Sequence, residues 1–324
     1  MTLDDEIEEA NKQSWQNASE QYRMREEDPP TTLYHYTDAA GLEGILRSGT
    51  IWATHAGYLN DPHEVVHGQE IFRSMITRTL IHSKDVIGRE FYDKCIENFD
   101  EKGPFMNPLV GYFCASFSSK GDDLSQYRAY SAQGSGYCIG FDTKALVAEI
   151  GKISYANGSL FRLVRMEYDT AEQRRTLERI VRDAVSLART LAREHGDQAR
   201  ETVLHKLSLQ CIQEALMVGC LYKQPGFQDE DEWRIVPTPF GDPAKPFDTN
   251  VRARHRNGLF IPYLELPVDP SDRRTTSVRE IYVGPKLPFD KARNGIVKLF
   301  HTLKVSNNLD FEEAKIKRSS TFLQ

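Results

Sequence analysis

The order of its apolar runs constrains what this chain can fold into more than any other feature. Short strand-like runs occupy residues 33–36, 51–54, 112–117, 137–141 and 160–168, and three more cover 232–236, 259–263 and 278–283. Between the two groups lies a long, charged, helically spaced stretch over 170–222, interrupted at Gly196-Asp197, which reads as a helical hairpin. A doubly wound parallel sheet would need strand and helix to alternate regularly, and they do not. The expected class is α+β, with helices inserted among strands.

Local signals fix several boundaries. Asp38 can cap a helix that carries Leu42, Ile45 and Leu46 on one face, and Gly49 can end it, so residues 33–54 form a strand–helix–strand unit. Asp61-Pro62 followed by Glu64 starts a helix running to about 81; a second covers about 84–100, and Pro288 opens another over about 289–303. Residues 1–30, polar and closed by Pro29-Pro30, read as a helical arm. Residues 31–305 then make one elaborated α+β domain, and 306–324 a tail.

Charge and cysteine usage exclude whole classes. With 41 Lys and Arg against 47 Asp and Glu, a uniformly basic surface that coats nucleic acid is ruled out, although a local basic groove is not. Five cysteines in apolar contexts, without Cys-x-x-Cys spacing, fit neither a disulfide framework nor a cysteine zinc site. No apolar run reaches the ~18–20 residues that cross a bilayer, and the acidic N-terminus is unlike a secretory signal, so a cytoplasmic location without membrane contact is expected. The usual glycine-rich phosphate loops are also missing.

Three groups of residues have chemistry to offer. His63-Glu64-x-x-His67 matches a zinc-hydrolase pattern, in which two imidazoles on one helix face hold the metal and Glu64 activates water. A match over five positions is weak without a third ligand, and a solvated helix face is the simpler account. His35, on a strand that alternates apolar and polar residues, can meet a ribose hydroxyl in a cleft or serve structure alone. Glu232 begins an apolar strand after Asp229-Glu230-Asp231; it can steady positive charge at an anomeric carbon, or simply pair with Arg234. Ser116, Tyr127 and Tyr130 offer hydroxyls and rings, and Arg252, Arg254, His255 and Arg256 form a basic stretch that could hold phosphate or be a solvated loop.

Taken together, Leu33-Tyr34-His35-Tyr36-Thr37, Leu59-Asn60-Asp61-Pro62, Phe113-Cys114-Ala115-Ser116-Phe117-Ser118, Gly136-Tyr137-Cys138-Ile139-Gly140-Phe141, Glu230-Asp231-Glu232-Trp233-Arg234 and Ile281-Tyr282-Val283-Gly284-Pro285 resemble a bacterial family of unknown function across about residues 31–285. More loosely, the layout resembles the ADP-ribosyltransferase superfamily. That resemblance implies a split mixed or antiparallel β core and NAD as a substrate, with no metal. It implies that Glu232 is catalytic and that His35 binds the adenosine ribose. Tyr36, Thr37, Trp52, Tyr58, Asn60, Ser116, Tyr127, Tyr130 and Arg234 are the candidates to line the NAD cleft. Trp52, Tyr58, Tyr127 and Tyr130 compete to cover the nicotinamide, and Glu230 stands where the acceptor is chosen in several branches. The acceptor would be a macromolecule, whether protein, RNA or DNA, and the setting a toxin or antiviral defence effector with a neutralising partner. The alternatives are a non-catalytic nucleotide- or protein-binding module on the same fold and the zinc hydrolase.

Overall fold

The computed structural model describes residues 2–26, 28–59, 63–102, 112–152, 161–237, 251–256, 258–270, 276–307 and 315–321. Along the chain run α1 (Leu3–Arg23), β1 (Thr32–Thr37), α2 (Ala39–Ser48), β2 (Thr50–His55), α3 (His63–His82), α4 (Val86–Lys102), β3 (Phe113–Ser118), α5 (Leu124–Tyr130), β4 (Tyr137–Asp142) and α6 (Thr143–Ile150). They are followed by β5 (Phe161–Arg165), α7 (Thr170–Glu194), α8 (Asp197–Gly219), β6 (Glu232–Pro237), β7 (Arg252–Arg256), β8 (Leu259–Pro267), β9 (Val278–Val283), α9 (Phe289–Asn307) and β10 (Lys315–Arg318). The fold is mixed α+β.

The strands form one sheet in the order β10-β9-β4-β1-β3-β2-β8-β7, with β6 also paired to β3 and β5 to β6. The described pairings are antiparallel except β10 on β9, so the sheet is mixed. Strand β3 is the junction. Along one edge it pairs Ala115–Ser118 with β6, and on the other it meets β2 at Phe113 and Cys114 and β1 at Ser118. Between those two contacts β1 and β2 diverge, and the sheet is split there.

Each face of the sheet carries its own core. Helices α2, α6 and α9 cover one face, where Leu33, Phe117, Ile139, Phe141, Trp233 and Ile281 are buried with Leu42 and Leu46 of α2. Helix α2 keeps the ends its sequence predicts: Asp38 accepts from the Gly41 amide at 2.8 Å, and Gly49 closes it at φ 67°. The other face meets a layer of α1, α3, α4, α7 and α8. Helix α8 buries residues around most of its circumference, as a central helix must. It crosses α3 so closely that a Cβ on Gly68 would lie 2.6 Å from the Gly219 Cα.

Two terminal segments are built into the fold more firmly than their composition predicts. Helix α1 is part of the helical layer rather than an arm beside it: Ile7, Ala18 and Tyr22 are buried, and the Tyr22 hydroxyl donates to the Met217 carbonyl at 2.9 Å. Within the tail, residues 315–318 form β10, and the Ser320 amide and hydroxyl both donate to Asp122 at 2.7 Å. That loop adjoins the site described next.

Candidate active site at the start of strand β6

The chain leaves α8 through Leu221, Tyr222 and Lys223. The buried Gln173 amide of α7 holds this exit by donating to the Glu167 and Lys223 carbonyls at 2.7 and 2.9 Å. A 3₁₀ turn over Pro225–Glu230 and a left-handed Asp231 (φ 40°) then re-aim the backbone into β6. Arg165, 2.8 Å from Asp231, and Ser119 pin that strained residue. The result is that Glu230 and Glu232 both converge on Lys223.

Four charged side chains meet here. Lys223 Nζ is 2.6 Å from Glu232 Oε2 and also contacts Glu230, while Arg234 donates from Nε to Glu232 Oε1 at 2.6 Å and from Nη2 to Oε2 at 2.9 Å. Lys223, Glu232 and Arg234 are only 2, 5 and 3% exposed. The Tyr168 hydroxyl accepts from the Glu232 amide at 3.0 Å, and the Tyr130 hydroxyl donates to Glu230 Oε1 at 3.2 Å. Two cations and two carboxylates balance, yet removing four charges from water is costly, and such clusters concentrate at functional sites.

The two carboxyls are driven apart. Burial alone would raise Glu232, but Arg234 and then Lys223 outweigh it and hold it at about 2. At Glu230 burial prevails over the attraction of Lys223, and the charge of Glu232 adds to it, so that carboxyl lies above its ordinary range. Two cations favour the ionised form of one carboxyl, and burial disfavours the ionised form of the other. Divergence of this kind separates acid from base in hydrolytic and transfer sites.

His35 lies elsewhere. Strand register aligns Tyr34 with Ser118 and Ser118 with Glu232, so alternation turns His35 to the opposite face, where its ring meets Phe117 at 5.8 Å. Its Nδ1 is 2.9 Å from the Ser116 carbonyl at the split. Because a carbonyl can only accept, the proton sits on Nδ1 and Nε2 is the acceptor. Burial lowers the imidazole pKa, helped by the Arg254 charge, so the ring is neutral near pH 7. The expectation that His35 and Glu232 meet across one NAD cleft is corrected here: their side chains leave the sheet on opposite faces.

The remaining candidates separate by role. The Tyr36 hydroxyl accepts from the Asp123 amide at 2.9 Å and donates to the Lys120 carbonyl at 2.8 Å, so it staples a loop. Thr37 fits against Gly41, where a Cβ would fall 2.0 Å from its hydroxyl. Ser116 neighbours Arg234 across the β3–β6 ladder. Among the four competing aromatics, Tyr127 is fully buried on α5, Trp52 and Tyr58 are exposed, and Tyr130 is the one bonded to the acid cluster.

Asn60 lies outside the described residues, as do Asp61, Pro62 and the side chains of His63 and Glu64. His67 Nε2 is 3.1 Å from Gln173 Oε1. Sequence reasoning missed Lys223, Tyr168 and Gln173. The usable signal was a lysine ending an otherwise apolar run, Cys220-Leu221-Tyr222.

Comparison with known proteins places this site in context. Residues 126–235 match a family described as Protein of unknown function (DUF2971), which supports the resemblance to a family of that kind. The matched segment contains Tyr130, Lys223, Glu230, Glu232 and Arg234, whereas His35 and Trp52 precede it. No curated protein and no solved structure matches the chain.

Proposed function

We propose that the chain transfers ADP-ribose from NAD to a macromolecular acceptor, with Glu230 as the carboxylate that meets the ribose. The supporting observation is the pair Glu230 and Glu232, shifted in opposite directions around one lysine that both contact. In the reaction the bond from ribose C1′ to the nicotinamide nitrogen breaks and its electron pair leaves with nicotinamide. The acceptor's nucleophile bonds to C1′ and gives up a proton, which Glu230 can take. Glu232 is a positioning residue: ionised and held by two cations, it fixes Lys223 beside Glu230. Tyr130 is the ring best placed to border the reacting sugar.

The test is nicotinamide release from NAD by the full chain. Glu230→Gln should lower it about 100-fold or more in a chain that still folds by circular dichroism, with a smaller loss of stability than Glu232→Ala because Lys223 keeps Glu232 as a partner. Glu232→Ala should fail differently, by losing about 3–5 kcal/mol of stability, because two buried cations are left without their partner. Turnover that survives Glu230→Gln would overturn the assignment.

A second reading, a non-catalytic nucleotide- or protein-binding module, is favoured by one observation: both Glu232 oxygens are already occupied by cations. NAD that binds in calorimetry and is not consumed would establish that reading.

A further inference from the structure

The acidic chain gathers positive charge on one sheet edge, and aromatic rings stand beside it. Arg252, Arg254 and Arg256 alternate along β7, so all three occupy the same face at steps of about 6.7 Å. Register carries that face across β8 and β2: Arg252 is opposite Tyr263, Tyr263 is opposite Thr54, and Trp52 follows two residues away. Trp52 and Tyr263 are close, with ring centroids 4.5 Å apart. Trp52 keeps 41% of its surface exposed, and Arg252 and Arg256 are exposed as well.

Arg254 is the centre of this strip. Its guanidinium lies 5.0 Å from the Trp52 ring, and Nη2 donates to the Thr54 hydroxyl at 3.1 Å. Its Nε is buried and finds no hydrogen-bond acceptor among the described residues. Arg252 is tied to Glu265 at 3.0 Å, but this is an exposed pair of the kind worth little against competing ligands. Arginines repeating along an edge strand beside an exposed indole match the pattern by which a protein takes a single-stranded nucleic acid. Guanidinium groups meet phosphates, and a base stacks on the ring. An acidic protein surface would also meet these arginines and pack on the indole, but guanidinium groups repeated evenly along one strand beside a ring suit the alternating phosphates and bases of a nucleic-acid strand better.

We infer that the β7–β8–β2 face binds single-stranded nucleic acid, with Arg252, Arg254 and Arg256 on the backbone and Trp52 under a base. This inference does not rest on NAD chemistry, because binding needs no turnover. It is tested by fluorescence anisotropy of the full chain with labelled dT20 and U20, without NAD. Three phosphate contacts predict a salt slope of about −2, which amounts to roughly twentyfold weaker binding between 50 and 200 mM salt. Arg254→Gln should reduce the slope by about 0.7, and Trp52→Ala should weaken binding roughly tenfold. Trp52 is exposed, so its variant should fold, and circular dichroism verifies this for both. Arg182→Gln on α7, an exposed arginine on a different element, should leave affinity unchanged. The inference is overturned by no binding at 50 mM salt, by equal loss in Arg182→Gln, by duplex bound as tightly as single strand, or by polyglutamate displacing the probe.

Discussion

At the scale of single residues, the cost of buried charge decides what matters. Glu214 of α8 is 7% exposed and accepts from the Ser14 hydroxyl of α1, beside Arg179 and Asp183. Burial raises its carboxyl from an ordinary 4.5 to about 7. The folded state therefore binds the proton more tightly than the unfolded chain, and stability declines as pH rises from about 4.5 to 7 and then levels off. Glu214→Gln should remove the decline, giving about 3 kcal/mol at pH 8 and nothing at pH 4, as read from urea midpoints at both. An unaltered pH profile would refute the assignment. Individual residues were also the hardest to read from sequence. Glu232 and Arg234 could be singled out because they open an apolar strand, but Lys223 lies nine positions earlier on a turn, and only the folded chain shows what it neutralises.

At the scale of elements, apolar periodicity was the reliable guide. Strands β1, β4, β6 and β9 were legible because alternation or continuous burial marks them, and the α7–α8 hairpin because charge and apolar faces recur at helical spacing with Gly196 between. Strand β7 was not, since Arg-Ala-Arg-His-Arg carries no apolar face, and its backbone ladder to β8 and the reach of Arg254 to Thr54 appear only in the folded chain. Helix α5 is too short and polar for its apolar periodicity to show, although Asp123 caps it, accepting from the Ser125 and Gln126 amides at 2.8 and 3.1 Å. The α3–α8 crossing, invisible in sequence, gives an asymmetric expectation. A methyl on Gly68 would meet Gly219 backbone at 2.6 Å, whereas one on Gly219 finds Gly68 at 3.3 Å. Gly68→Ala should cost about 1–3 kcal/mol and Gly219→Ala less, in that order by thermal melting.

At the scale of the whole molecule, the α+β class followed from the order of apolar runs, but the face on which each candidate lies did not. A one-residue step along β1 separates Tyr34, in the row of Glu232, from His35, on the reverse side, and alternation cannot be assigned to a face until the partner strands are known. The two faces bury separate cores, so one might expect each to melt by itself. Strand β3 argues otherwise: Cys114 belongs to the helical side's core and Phe113, Ala115 and Phe117 to the other. A spine shared by both leaves of a book cannot be pulled from one and left in the other. Far- and near-ultraviolet dichroism should therefore collapse together at one temperature, and two separated steps would mean that the spine had already come loose from one leaf.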